Sequence, residues 1–346
     1  MKYLFYLLFM TSILFANQKT LRISNFIDYI DVELLKDFAS ENNIKIIYDV
    51  HEVNEDIYSK VKEANDYDLI IVSSNYITKL QNIDKLEKID TTKLQNYSNI
   101  NQDFLQTNFK NSQEYTIPYL WGTVGLIYNK KLIKEPILGW NDLWREEFKN
   151  SILLSNEPTD VMGMTLKSLG YSANSTNIEE INSAYDKLKK LVPNIKDISS
   201  GNAITYFITN GFAVGMAFSG DAKLIMDNSE DFEFIYPKEG ALKWADGIVI
   251  LKDSKNKDLA YKFIDFIIDA KNSGKIGNST GYAVSSQSAM QYIDEKDLSN
   301  NVTYPTSNNL LNSEILIENQ DTYKNIIEKF ENFKKEYNTK KVSNEK

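Results

Sequence analysis

Apolar positions along the chain switch between two periods. Short β-branched or continuous apolar runs predict strands, and apolar residues three and four apart predict helices. Leu21–Ser24 reads as a strand. Asp31 predicts a cap for a helix from Val32 to about Asn42, with Leu34, Leu35, Phe38 and Ala39 on one face. Ile44–Tyr48 reads as a second strand, and Asn54 opens a helix through Ala64. Asp68–Val72 has the pattern of a buried strand, closed by Ser73-Ser74-Asn75. Strand, helix, strand, helix, strand predicts right-handed crossovers and a parallel sheet. In such sheets ligands sit beyond the carboxyl ends of the strands. That directs attention to Asn25–Ile30 and Ser73–Tyr76.

Farther along, Trp121–Tyr128, Ser151–Leu154, Gly211–Phe218, Phe232–Tyr236 and Gly247–Leu251 read as strands. Trp140-Asn141-Asp142-Leu143-Trp144 reads as a helix start whose two Trp pack in the core. Glu157-Pro158-Thr159-Asp160 opens a helix through Leu169, with Pro158 suited to its first position. Ile178–Leu191, Leu259–Ala270 and Asp321–Tyr337 read as further helices, and Asn338–Lys346 as a polar tail. The 346 residues suggest two domains. No repeat and no long linker divides them, so the chain can cross between domains more than once.

The start of the chain has a different pattern. Lys2 precedes the apolar run Tyr3–Met10, and Ile13-Leu14-Phe15-Ala16 completes it after Thr11 and Ser12. A short basic start, an apolar stretch and a small final residue read as a secretory signal peptide over residues 1–16. An uncleaved anchor is the alternative, but a span needs about 20 apolar residues. The expected mature protein is exported and periplasmic.

Composition narrows the chemistry. Hydrophobic residues are 42% and charged residues 25%, which fits a globular chain. Lys and Arg number 39 against 48 Asp and Glu, a net charge of −9, which disfavours nucleic-acid binding. Only Arg22 and Arg145 are arginines, leaving little material for bidentate anion clamps. Cysteine is absent, so disulfides, thiolate metal sites and Cys nucleophiles are excluded. The single histidine, His51, argues against zinc and is read as a surface or hydrogen-bonded residue near a loop. No phosphate-binding glycine loop is present. No cofactor, metal or catalytic residue is expected.

What recurs at predicted strand ends is an aromatic beside a carboxylate. Phe26-Ile27-Asp28-Tyr29 follows the first strand, and Glu157 and Asp160 follow Ser151–Leu154. Phe218 and Asp221 follow the strand ending at Ala217, and Trp244-Ala245-Asp246 precedes Gly247. An aliphatic diammonium needs this mixture: carboxylates and ring faces for its charges, apolar walls for its methylenes. From composition alone, core aromatics beside capping or solvated acids are the better explanation.

Several blocks decide between these readings. Asn25-Phe26-Ile27-Asp28-Tyr29, Tyr67–Ser74, Ile117–Thr123, Trp140–Trp144, Leu169–Ser172, Tyr236–Gly240 and Thr280-Gly281-Tyr282 lie in one order over about residues 20 to 290. Together they resemble the periplasmic spermidine/putrescine-binding proteins. The resemblance implies an α/β, two-lobed periplasmic-binding-protein-like fold of type II. Each lobe would be a mostly parallel sheet flanked by helices, hinged by crossing strands. The implied division is 19–120 with 248–290, and 121–247 with 291–337.

The same resemblance implies a set of ligand-facing residues. Phe26, where Trp is usual, and Tyr29 would line one end. Asp28 is a candidate contact, and Ser73 would hydrogen-bond an ammonium. Glu157 and Asp160 would receive an ammonium at one end, and Phe218 stands where Trp is common. Trp244 would stack on the ligand, Asp246 would pair with an amine, and Tyr282 would add a ring. Asn75 sits where a Tyr is frequent, and Leu316 where a Gln is expected. The implied function is polyamine capture by cleft closure and delivery to the permease subunits of an ABC importer, by a monomer that is not an enzyme. Alternatives are the same fold holding an amino acid, peptide or metal chelate, or a secreted hydrolase using Glu157 and Asp160. The absence of a cleft Arg argues against a carboxylate ligand. Two acids at one helix start would not flank a glycosidic bond.

Overall fold

A computed structural model describes residues 18–344 apart from 65, 201–202 and 318–319. The expected signal segment lies outside the described residues. The strands are β1 (Thr20–Phe26), β2 (Lys45–His51), β3 (Leu69–Ser73), β4 (Ile117–Asn129), β5 (Ile152–Leu154), β6 (Ile195–Ile198), β7 (Val214–Phe218), β8 (Phe232–Ile235), β9 (Leu242–Ile250), β10 (Ala283–Val284) and β11 (Glu314–Ile315). Their hydrogen-bonded order is β2-β1-β3-β9-β4-β7-β5-β6. β1, β2 and β3 are mutually parallel, as are β5, β6 and β7. β4 and β9 run antiparallel between the two halves and join them. The chain thus builds two lobes on parallel sheets with a pair of crossing strands as the seam. The β4–β9 register shifts between Pro118 and Trp121, where a proline without N–H interrupts the ladder.

Each half has apolar packing on both faces. In the first, Leu21, Ile23, Phe38, Phe263 and Ile264 form one cluster, and Ile57, Val61, Ile70, Val72 and Ile77 another. In the second, Trp140, Met162, Leu166, Leu188, Phe330 and Phe333 form one cluster, and Phe207, Phe212, Ile225 and Phe232 the other. Phe218 and Trp244 touch clusters of both halves, so the rings expected to face a ligand sit on the seam.

Local chemistry sets the helix starts. Asp31 accepts from the Glu33 N–H and opens Val32–Asn42, which Asn43 ends in the left-handed region at φ 49°. Asp269 accepts from the Lys271 and Asn272 N–H groups and opens Ala270–Thr280. The helix expected over Leu259–Ala270 is present as Lys257–Ile267, and a further helix that was not expected, Ala270–Thr280, follows it. Helices also form at Ser74–Asn82 and Ser219–Asn228, directly after strand ends that read as turns, and at Ala203–Asn210, where no element was expected. β9 begins five residues before the expected Gly247, which places Trp244 and Asp246 inside a strand and on one face of it. The expected polar tail continues as helix, Gln320–Asn344, supported by a Lys340–Glu336 pair one turn apart. Among the described residues no helix is long and apolar enough to cross a membrane.

Candidate functional site

The seam opens into a cleft with a volume of about 190 Å³. Phe26, Asp28, Tyr29, Ser73, Glu157, Asp160, Phe218, Trp244, Asp246 and Tyr282 all line it, and so do Asn75 and Leu316. Phe26, Ser73 and Phe218 are the last residues of β1, β3 and β7, and Glu157 follows β5. The site therefore occupies the carboxyl ends of parallel strands from both lobes.

Five rings make a cage. Phe26 meets Tyr29 edge-on at 5.4 Å between centroids, and Tyr29 meets Tyr282 at 5.3 Å. Trp244 meets Tyr282 at 5.2 Å and Phe218 at 6.0 Å, both near perpendicular. Tyr282 is delivered there by glycine. Gly281 ends the preceding helix at φ 75°, and a Cβ on Gly220 would lie 2.5 Å from the Tyr282 ring. Either substitution displaces the ring.

Carboxylates stand around the cage. The Tyr29 hydroxyl donates to Asp246 Oδ2 at 2.7 Å, while Asp246 Oδ1 is buried without a partner among the described residues. Burial pushes the Asp246 carboxyl up to about 6, against the Tyr29 hydrogen bond that favours its charged form. Burial and the Asp246 charge raise Asp160 to about 7. Glu157 is raised well above the usual range by burial and then by Asp160 and Asp246, while the Asn54 backbone N–H, from the other lobe, lowers it. These three acids share one region. A second region holds Asp221, raised to about 7 by burial and the nearby Asp28, with Tyr282 donating to its Oδ1 at 3.0 Å.

The capping alternatives can be compared with this geometry. Glu157 is the residue before the helix Pro158–Ser168 but its side chain makes no cap hydrogen bond. Asp246 sits in mid-strand and caps no turn. Asp28 is exposed at the cleft edge with φ 53°. Ser73 precedes the helix Ser74–Asn82 without capping it; Asn54 Nδ2 donates to its hydroxyl at 3.0 Å. Trp140 is fully buried and Trp144 partly so, each indole N–H donating to a carbonyl, as core residues do.

Two lining residues extend the expected set. Asp221 was visible as an acid beside Phe218, but only the fold shows that Tyr282 and Asp28 converge on it. His51 ends β2, buried, with its Nδ1 2.9 Å from the Ser24 hydroxyl and its ring against Phe26. Burial and the Lys60 charge depress it to about 3. It stays neutral, and the cleft lining contains no Lys or Arg among the described residues. Six carboxyl side chains, neutral polar groups and rings then face each other. Such a surface is suited to an elongated cation and repels an anion.

Comparison with known proteins agrees with this geometry. Residues 33–306 match the family described as bacterial extracellular solute-binding protein. The spermidine/putrescine-binding periplasmic protein of Escherichia coli K12 is 33% identical over 301 residues, covering 86% of each chain. A solved structure from Listeria monocytogenes superposes with a TM-score of 0.87 at 34% identity, covering 92% of this chain and 99% of that one. The spermidine/putrescine ABC transporter substrate-binding protein of Streptococcus pneumoniae, solved with calcium and HEPES, gives 0.78 at 34% identity, covering 92% and 100%.

Proposed function

Because the chain belongs to the bacterial extracellular solute-binding protein family, we propose that it captures a polyamine of the putrescine/spermidine class. It is a binding protein and not an enzyme. It works in the periplasm as a monomer, exported by residues 1–16, and hands its ligand to the membrane subunits of an ABC importer. The lobes divide as 19–120 with 248–290, and 121–247 with 291–337; the apolar clusters follow that division except that Ile293 and Tyr304 pack with the first lobe.

One observation carries the reading: an aromatic cage between two groups of carboxylates, with no cationic side chain in the lining among the described residues. An aliphatic polyamine supplies ammonium groups to the acids and methylenes to the rings. Each buried CH₂ contributes about 0.8 kcal/mol and each ammonium–ring contact about 0.5–2 kcal/mol. Asp246 Oδ1, with no partner among the described residues, is an open acceptor for one ammonium. Closure around a cation also relieves carboxylates that burial alone destabilises.

Calorimetric titration with putrescine, cadaverine, spermidine and spermine tests the class. At a hundredfold excess over Kd a ligand adds about 2.7 kcal/mol of stability, so these amines raise the melting temperature. Glutamate, glucose and maltose leave it unchanged. A shift with glutamate and none with any polyamine overturns the assignment.

Selectivity between diamine and triamine is expected to be modest, within about tenfold. Asn75 replaces ring area in the cleft wall, and Leu316 offers no amide to a distant amine. The extra arm of spermidine gains apolar contact there, but its third ammonium finds less. Parallel titrations of the parent and Asn75→Tyr check this. A parent preference beyond about a hundredfold, or unchanged selectivity in the variant, removes Asn75 from the choice.

A further inference from the structure

The two lobes meet at a second place, away from the crossing strands. The helix Gln320–Asn344 is fastened to the second lobe: Phe330 and Phe333 are fully buried in its core, and the Tyr337 hydroxyl donates to the Lys196 carbonyl at 2.9 Å. Near its start, Tyr323 leaves that lobe and packs against the apolar cluster of the first, beside Tyr58. The Tyr323 hydroxyl donates to Glu55 Oε2 at 3.0 Å, and the Tyr76 hydroxyl donates to the same oxygen at 3.1 Å. The two phenols also touch each other. Lys79 Nζ lies 3.4 Å from the Tyr323 ring centroid and 3.9 Å from that of Tyr76. Glu55 and Lys79 belong to the helices Asn54–Glu63 and Ser74–Asn82 of the first lobe.

Tyr76 connects this cluster to the ligand. It is a wall residue of the cleft and is 96% buried, next to Asn75, where the wall lacks a ring. Helix Asn54–Glu63 starts with Asn54, which holds Ser73 in the same wall through two hydrogen bonds of 3.0 Å. Opening the lobes must carry Tyr323 away with its helix. That move strips Glu55 of one donor and the Lys79 ammonium of one ring face.

We propose that Tyr323 is an interlobe latch: a positioning residue that docks on Glu55, Tyr76 and Lys79 only when the lobes are together, and so sets the closed population and completes the cleft wall through Tyr76. A charge-assisted hydrogen bond and a cation–ring contact, both made in one state only, bias the equilibrium toward that state. Apparent affinity then scales with the closed fraction, because a binding-competent state that is rarer binds proportionally less well. The latch itself rests on interlobe geometry; only its effect on affinity rests on the polyamine reading.

The chain has no cysteine, so a pair of labels can be placed cleanly. Val32→Cys and Ile178→Cys are exposed positions on opposite lobes. Single-molecule energy transfer between these labels reads the open and closed populations directly. In the ligand-free protein, Tyr323→Phe is expected to lower the closed-to-open ratio about fivefold to tenfold, and Glu55→Gln to lower it in the same direction. Tyr323→Phe keeps the ring in place, so far-ultraviolet circular dichroism and the melting temperature stay close to the parent. With putrescine, the variant is expected to show a Kd raised by a similar factor through faster release, with association unchanged. An unchanged ligand-free distribution in Tyr323→Phe overturns the latch. Failure of the parent to respond to putrescine or spermidine overturns the polyamine reading instead, and the ligand-free comparison still decides the latch.

Discussion

Asp246→Asn weakens polyamine binding by about 10- to 150-fold while making the ligand-free protein more stable at pH 8. The binding loss follows from geometry. Asp246 is buried beside the ring cage, one oxygen held by Tyr29 and the other without a partner among the described residues. Asn keeps the shape and the Tyr29 contact but withdraws the charge from an ammonium, a difference of about 1.5–3 kcal/mol. The stability gain follows from desolvation, which raises this carboxyl from 3.8 to about 6. A carboxyl whose folded value lies above its unfolded one destabilises the fold when ionised. The penalty is absent below about pH 4, grows through the intervening range, and reaches at most about 3 kcal/mol above pH 6. The variant escapes it, so its advantage in denaturant melts shrinks as pH falls from 8 to 4. Titration calorimetry and urea melts at both pH values check the pair of effects. A variant that binds like the parent yet melts lower would assign Asp246 a purely structural part.

Much of this was legible in the residues, for identifiable reasons. Strong alternation of β-branched runs with helical faces marks Leu21 to Val72, and the parallel-sheet rule then places the cleft after Phe26 and Ser73. The site was less visible where polarity misleads. The strand read from Gly247 in fact begins at Leu242, and the seam buries the acid Asp246 inside β9. Ser74, Ser219 and Gly220 read as turn residues, yet each strand passes straight into a helix there. Gly220 is small because Tyr282 lies against it, a constraint set from about 60 residues away. The Tyr323 contact could not be read at all. It depends on how the last helix crosses from one lobe to the other, and no periodicity encodes that.

The dependence of binding on pH is the second large effect. Burial raises Asp160 and Asp221 to about 7, in the two separate carboxyl regions of the cleft. Alkylammonium groups titrate at about 10.4, as in lysine, so the ligand stays charged throughout the relevant range. Binding must then ionise the carboxyls that pair with it, and protons leave as ligand enters. For each carboxyl near 7 that has to ionise, affinity falls by about thirtyfold between pH 8 and 5.5. Two such groups give a loss on the order of a thousandfold. Calorimetry at pH 6.5 in buffers of different ionisation enthalpy counts the released protons directly; one to two are expected, about one for each region engaged. Asp221→Asn removes the contribution of its own region and flattens the profile by about one proton, while leaving the Asp160 region titrating. Spermidine or putrescine binding with a flat profile and no proton release would mean that the cleft acids are already ionised before ligand arrives, and that burial does not hold them near neutrality.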